Sequence, residues 1–209
     1  MTKYNLPGYM AGKYEELKDR IRQRLSEFAL VPESEYFYEM CYCICTPQSK
    51  ARNAFTVVEK LKERDFVNKP FNPVSILRNP AHYIRFHNQK AKRLIELIDV
   101  FPEVLNILKS NREKDEKRIE IYKAVKGFGF KETSHFLRNI GYSGLAILDR
   151  HILRHMVECG VYMDTPKVSS VNQYLGVEKE FGLLAGNVGI PVDELDMLFW
   201  SYETGVILK

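Results

Sequence analysis

Two glycines stand two apart in Lys126-Gly127-Phe128-Gly129-Phe130, between stretches whose apolar residues recur at helical spacing. Upstream, NREKDEKRIEIYKAV is charged on one side and puts Ile119, Tyr122 and Val125 on the other. Downstream, KETSHFLRN leads to a glycine stop at Gly141. A chain that breaks a helix on Gly-x-Gly and restarts at once has few options, because glycine reaches the positive φ angles a tight reversal needs. The pattern predicts two helices joined by a short hairpin, over about residues 114–140. It leaves Lys131 unexplained. A cation opens the second helix, although positive charge suits the other end of the macrodipole.

Helical spacing governs the rest of the chain. Tyr14, Leu17, Ile21, Leu25 and Phe28 form one apolar stripe. Ser34 is placed to cap SEYFYEMCYCIC, which ends at Thr46-Pro47, and KARNAFTVVEKLKERD follows. Asn79 followed by Pro80 predicts a capped helix over PAHYIRFHNQKAKRLIELID, with a further short helix after Phe101-Pro102. Asp149 opens DRHILRHMVEC, and VDELDMLFWSYET runs from Pro191 to a stop at Gly205. Nine or ten short helices and no strand pattern make an all-α protein. No repeat or low-complexity linker divides it. Residues 1–209 therefore read as a single unit, and the central hairpin suggests two helical lobes.

Composition narrows the class. The chain is 45% hydrophobic and 28% charged, as in ordinary soluble globular proteins, with a net charge of +4 that suits a polyanionic partner without proving one. No apolar run is long enough to cross a bilayer and the N-terminus lacks a signal-peptide pattern, so no membrane role and an intracellular location are expected. Three of the four cysteines lie in CYCIC, with Cys159 alone, which is no disulfide framework. On a helix Cys41 and Cys45 share a face and Cys43 points elsewhere; without a second Cys/His pair they read as core rather than as zinc ligands. His151 and His155 lie one turn apart with no acidic or cysteine partner at matching spacing. They read as packing or phosphate-contact residues, and His135 as structural. Neither metal nor cofactor is expected.

The hairpin's amides, with the N-terminus of its second helix, can cradle a phosphate. Such a contact grips a nucleic-acid backbone and carries no sequence information. The motif alone also fits a plain helix-to-helix turn, and both readings stay open. Lys131 adds chemistry. Positive potential at a helix N-terminus and partial burial both disfavour the ammonium and free the amine as a nucleophile. Asp149, eighteen residues on, pulls the other way, yet it could stabilise positive charge developing on a sugar or relay protons. It is also placed to cap its helix, a role compatible with either.

From Lys126 to Ile152 the sequence resembles the helix-hairpin-helix DNA glycosylases. The whole chain is similar to the archaeal-type (type 2) 8-oxoguanine DNA glycosylase/lyases, through FHNQKA, KGFGFKETSHFLRN, LAILDRHI and the terminal WSYETGVILK. The resemblance implies a two-lobed helical glycosylase fold with the cleft between the lobes, acting as a monomer on damaged double-stranded DNA in the cytoplasm. It makes Lys131 the nucleophile that expels the base and forms a Schiff base before β-elimination, with Asp149 its electrostatic and proton-transfer partner. Gly127 and Gly129 would grip phosphate. Iron–sulfur members of the superfamily carry four clustered cysteines near the C-terminus; only Cys159 lies in the second half here, so no cluster is expected.

Excision from a duplex requires flipping the nucleotide and supporting the hole left behind. Gln48, in TPQS, resembles the superfamily's wedge residue, and it also fits a polar turn. Trp200 and Phe86 offer flat faces for a flipped purine or ordinary core packing. The apolar tail ending at Lys209 should pack down, and its terminal charges could discriminate 8-oxoguanine, which gains an N–H donor. Two alternatives remain: a glycosylase for another damaged base, and a non-enzymatic helix-hairpin-helix DNA-binding module indifferent to Lys131→Gln.

Overall fold

A computed structural model describes residues 4–208 of the chain. Among them it forms ten α-helices and no strand. In chain order these are α1 (Gly8–Ala29), α2 (Tyr36–Cys45), α3 (Ala51–Glu63), α4 (Val74–Leu77) and α5 (His87–Lys109), then α6 (Lys114–Ala124), α7 (Phe130–Asn139), α8 (Arg150–Glu158), α9 (Val171–Val188) and α10 (Val192–Thr204). They divide into two compact units. One lobe takes the chain up to Val31 and from Leu137 onward; the other is Pro32–Phe136. None of the helices is long and apolar enough to cross a membrane.

The Pro32–Phe136 lobe is built on α2. Every residue from Phe37 to Cys45 is buried, the mark of a helix that is apolar all round. Its three thiols belong to that core, and burial pushes Cys45 up to about 12 and Cys41 well above its ordinary value. Helices α3 and α5 pack against α2, and α4 and α6 against α5. Ser34 does not cap α2. Pro32 starts a 3-10 turn over Glu33–Glu35, so Ser34 already lies inside a turn and lacks the extended backbone a cap needs.

Asn79 does cap, its Oδ1 accepting from Ala81 N at 3.0 Å, but what it caps is only the 3-10 turn Pro80–His82. Ile84 ends that turn by burying itself and donating its N–H to Leu77 O, and the long helix waits until His87. Pro102 begins no new helix; α5 runs through it. A proline inside a helix costs about 3 kcal/mol. Leu94 and Leu97 before it, and Val104 and Ile107 after it, are all buried on one stripe, each contributing about 1.5–3 kcal/mol. Continuity of that stripe outweighs the proline.

In the other lobe α1, α8 and α9 all pack on α10. Met10, Tyr14, Ile21 and Phe28 form the buried stripe of α1, and Tyr14 donates its hydroxyl to Glu194 of α10 at 2.6 Å. Gly141 ends α7 with φ +94°, and a Cβ there would meet the Ala29 backbone Cα at 2.8 Å. Gly141→Ala is therefore expected to destabilise by about 2–4 kcal/mol, from left-handed strain plus overpacking. A lowered urea midpoint at unchanged slope would register it.

Candidate active site

The hairpin belongs to the Pro32–Phe136 lobe except for the last turn of α7. Helix α6 is opened by a capping box between Glu113 and Glu116 and closes at Ala124. Gly127 then turns the chain with φ +95°, and an added Cβ would press on the Arg93 side chain at 3.0 Å. The left-handed conformation is what calls for glycine; the Arg93 side chain would need to yield only slightly. Gly129 has an ordinary φ, and a Cβ there would lie 2.6 Å from Glu132 Oε2, displacing that carboxylate rather than the backbone. That oxygen reaches back to accept the Gly129 N–H at 3.0 Å, the N3-to-cap half of a capping box, glycine having no side chain to supply the other half. The Gly129 amide is thus engaged by Glu132.

Lys131 is the second residue of α7, about 30% exposed, and its Nζ pairs with Glu132 Oε1 at 2.9 Å. One carboxylate therefore caps the helix with one oxygen and holds the amine with the other. The motif G-x-x-E was present in the sequence and could have found Glu132. His135, as read, is structural, set edge-on against Tyr42 at 5.7 Å.

Gln48 and Phe86 lie in the same lobe and share a conformation. Among the described residues three non-glycines have positive φ, and these are two of them, at 55° and 59°. Gln48 sits exposed in the Thr46–Ser49 turn, closed by Ser49 N to Thr46 O at 2.9 Å. Phe86 immediately precedes α5 and is 48% exposed, with the Arg85 guanidinium 5.0 Å from its ring centre. A large aromatic left exposed on a left-handed residue is not core packing.

Asp149 and Trp200 belong to the other lobe. Asp149 caps α8, its Oδ1 accepting from His151 N at 2.8 Å and Ile152 N at 3.0 Å. The LAIL run before it belongs to no helix or strand, so side chains take most of its backbone groups. Gly144 N donates to Asp193, Ala146 N to Glu178, Ile147 N to Asp196 at 2.8 Å and Leu148 N to Tyr174, whose hydroxyl donates to Ala146 O. Burial pushes the Asp196 carboxyl up to about 7, against the opposing pull of Arg138, its ion-pair partner at 2.9 Å. None of these clamps was legible in the sequence.

The histidine pair does have an acidic partner, contrary to the spacing argument. Glu203 of α10 lies 3.2 Å from His151 and 3.0 Å from His155, and also pairs with Arg154. The Arg154 guanidinium, more than the histidines, holds the Glu203 carboxyl below its ordinary range. No group of three or more His, Cys, Asp or Glu suited to a metal occurs among the described residues. Trp200 is half-buried while the six residues before it in α10 are buried. The tail after α10 is tied down through Leu208 O, which accepts from Arg24 Nε at 2.6 Å; Lys209 lies outside the described residues.

A family model described as 8-oxoguanine DNA glycosylase matches residues 21–190. The chain is 37% identical to the 8-oxoguanine DNA glycosylase/AP lyase of Fusobacterium nucleatum, over 94% of both chains. It is 33% identical to that of Methanocaldococcus jannaschii, over 94% of this chain and 95% of the relative. Among solved structures, the M. jannaschii enzyme bound to 15mer DNA containing 8-oxoguanine superposes with a TM-score of 0.81 at 30% identity, covering 95% and 98% of the two chains. The Thermotoga maritima 8-oxoguanine DNA glycosylase gives 0.85 at 29%, covering 96% and 97%.

Proposed function

This chain belongs to the 8-oxoguanine DNA glycosylase family, and from that premise we infer how its own residues carry out the reaction. It is a DNA glycosylase/AP lyase of base excision repair that excises 8-oxoguanine from DNA. Lys131 is the nucleophile. Its amine attacks C1′ of the damaged nucleotide; the C–N bond to the enzyme forms as the N-glycosidic bond breaks and the base leaves with its bonding pair. Ring opening yields a Schiff base, and loss of a C2′ proton expels the 3′ phosphate by β-elimination. Asp149 stabilises the positive charge that develops on the sugar and passes protons. Because Oδ1 is held by two α8 amides, the carboxylate is oriented before substrate arrives.

The observation that carries this reading is Lys131 itself: a part-exposed amine in the first turn of α7, directly after the glycine hairpin. Gly127 and its neighbours grip phosphate, Gln48 wedges into the duplex, and Phe86 and Trp200 stack on the flipped base. The exposure and left-handed backbone of Gln48 and Phe86 support their part. The enzyme works as a monomer on damaged duplex in the cytoplasm, where the genomic DNA lies.

The test is borohydride reduction during turnover of a duplex carrying one 8-oxoguanine. A covalent protein–DNA complex is expected; excision of the base with no adduct would reject the Schiff base at Lys131. Lys209, one residue beyond the Arg24-anchored tail, is assigned to lesion recognition. Deleting it should lower the preference for 8-oxoguanine over guanine by roughly 10–100-fold, the scale of a lost polar contact to the substrate. Unchanged selectivity would refute that assignment.

A further inference from the structure

Lys90 is buried, 7% exposed, in the first turn of α5, where a lysine has no packing reason to be. Its ammonium donates to Cys45 O at 2.8 Å, Pro47 O at 2.6 Å and Ser49 Oγ at 3.3 Å, so all three donors are used. The Cys45 carbonyl is one that the end of α2 leaves without a helical partner, and a cation there complements the helix dipole. The link to the second loop runs through Ser49: the hydroxyl that the ammonium reaches also accepts from Arg85 N at 3.0 Å, next to Phe86, whose carbonyl takes the ordinary first-turn bond from the Lys90 N–H. One side chain and one hydroxyl thus link the Thr46–Ser49 turn to the residues before α5.

We propose that Lys90 is a positioning residue that locks the Gln48 and Phe86 loops together in the conformation with which they meet the duplex. The proposal rests on the assignment of those two residues to wedge and base pocket. Both are left-handed non-glycines, a conformation that persists only where the surroundings over-determine it. Lys90 supplies that constraint from inside the lobe. Burial draws its pKa down to about 8, with Lys131 adding to the shift and Cys45 and Glu132 opposing it. Burying such a charge is unfavourable, and an apolar side chain of similar volume would pack as well. Stability alone therefore does not account for it; fixing two loops does.

Lys90→Met keeps the stem and removes the donors. The variant is compared with the parent on a duplex carrying 2-aminopurine beside 8-oxoguanine, by fluorescence and single-turnover excision, and on a pre-formed abasic site by borohydride trapping. Expected are loss of most of the fluorescence rise and about tenfold slower excision, with trapping at the abasic site nearly unchanged. Equal loss on both substrates would overturn the proposal, since Lys90 would then act on Lys131 rather than on the loops. Combined with Gln48→Ala, Lys90→Met should add less than about threefold; full multiplication of the two losses would also overturn it. An inert Gln48→Ala would instead remove the wedge assignment beneath it. Should Lys90→Met fail to fold, Ser49→Ala cuts the same link more gently. It should give the same pattern at about threefold, and unchanged fluorescence in folded Ser49→Ala would refute the tether.

Discussion

Lys131→Gln is expected to bind lesion duplex as the parent does and to give no borohydride-trapped complex, with excision lowered by at least about 10³-fold. Glutamine has similar reach but no nucleophilic amine. The change also leaves the fold alone. Lys131 is a cation at a helix N-terminus, where it gains nothing from the macrodipole, and its part-exposed pair with Glu132 is worth at most about 1 kcal/mol. Glu132 keeps its bond to the Gly129 amide. An unfolding midpoint close to the parent's would therefore separate lost chemistry from lost structure. A covalent complex surviving in this variant would move the nucleophile to another lysine.

Asp149→Asn should retain binding and stability yet lose about 10²–10⁴-fold in excision, the range expected for a positioned acid–base group. Asparagine caps a helix as well as aspartate does, so its oxygen can still accept from His151 N and Ile152 N. Only the negative charge and the proton-accepting capacity disappear. Asp149→Ala then measures what the cap adds, about 1 kcal/mol of stability on top of the same catalytic loss. Comparing the two variants by single-turnover excision and thermal unfolding keeps the roles apart. Intact activity in Asp149→Asn would reject the catalytic role and leave the residue a cap.

How far the sequence reached varied from element to element. The helix-capping rules found Asn79 but misjudged what it caps, because Ile84 is drawn into the core five residues later and ends the turn. The proline rule at position 102 lost to four buried side chains on one stripe of α5. His155 has two acidic partners: Glu158, three residues on in α8 and legible from helical spacing, and Glu203, which also reaches His151 and which α10 delivers from elsewhere in the chain. Glu132 is the opposite case. Its contact to Gly129 spans three residues and was available in the G-x-x-E spacing all along.

The sequence by itself determined whatever is decided within about one helical turn. That includes the all-α character, the glycine hairpin with its positive φ at Gly127, Lys131 in the first turn of α7, and Asp149 as a cap. Spacing encodes these because the interacting groups are close along the chain. Only the tertiary structure decided which carbonyls the Lys90 ammonium meets 45 and 43 residues away, or that Asp196 takes the Ile147 amide across 49. Those partners are selected by burial. A polar group removed from water must find a counterpart among whatever the packed chain brings beside it, and no local periodicity records which that will be.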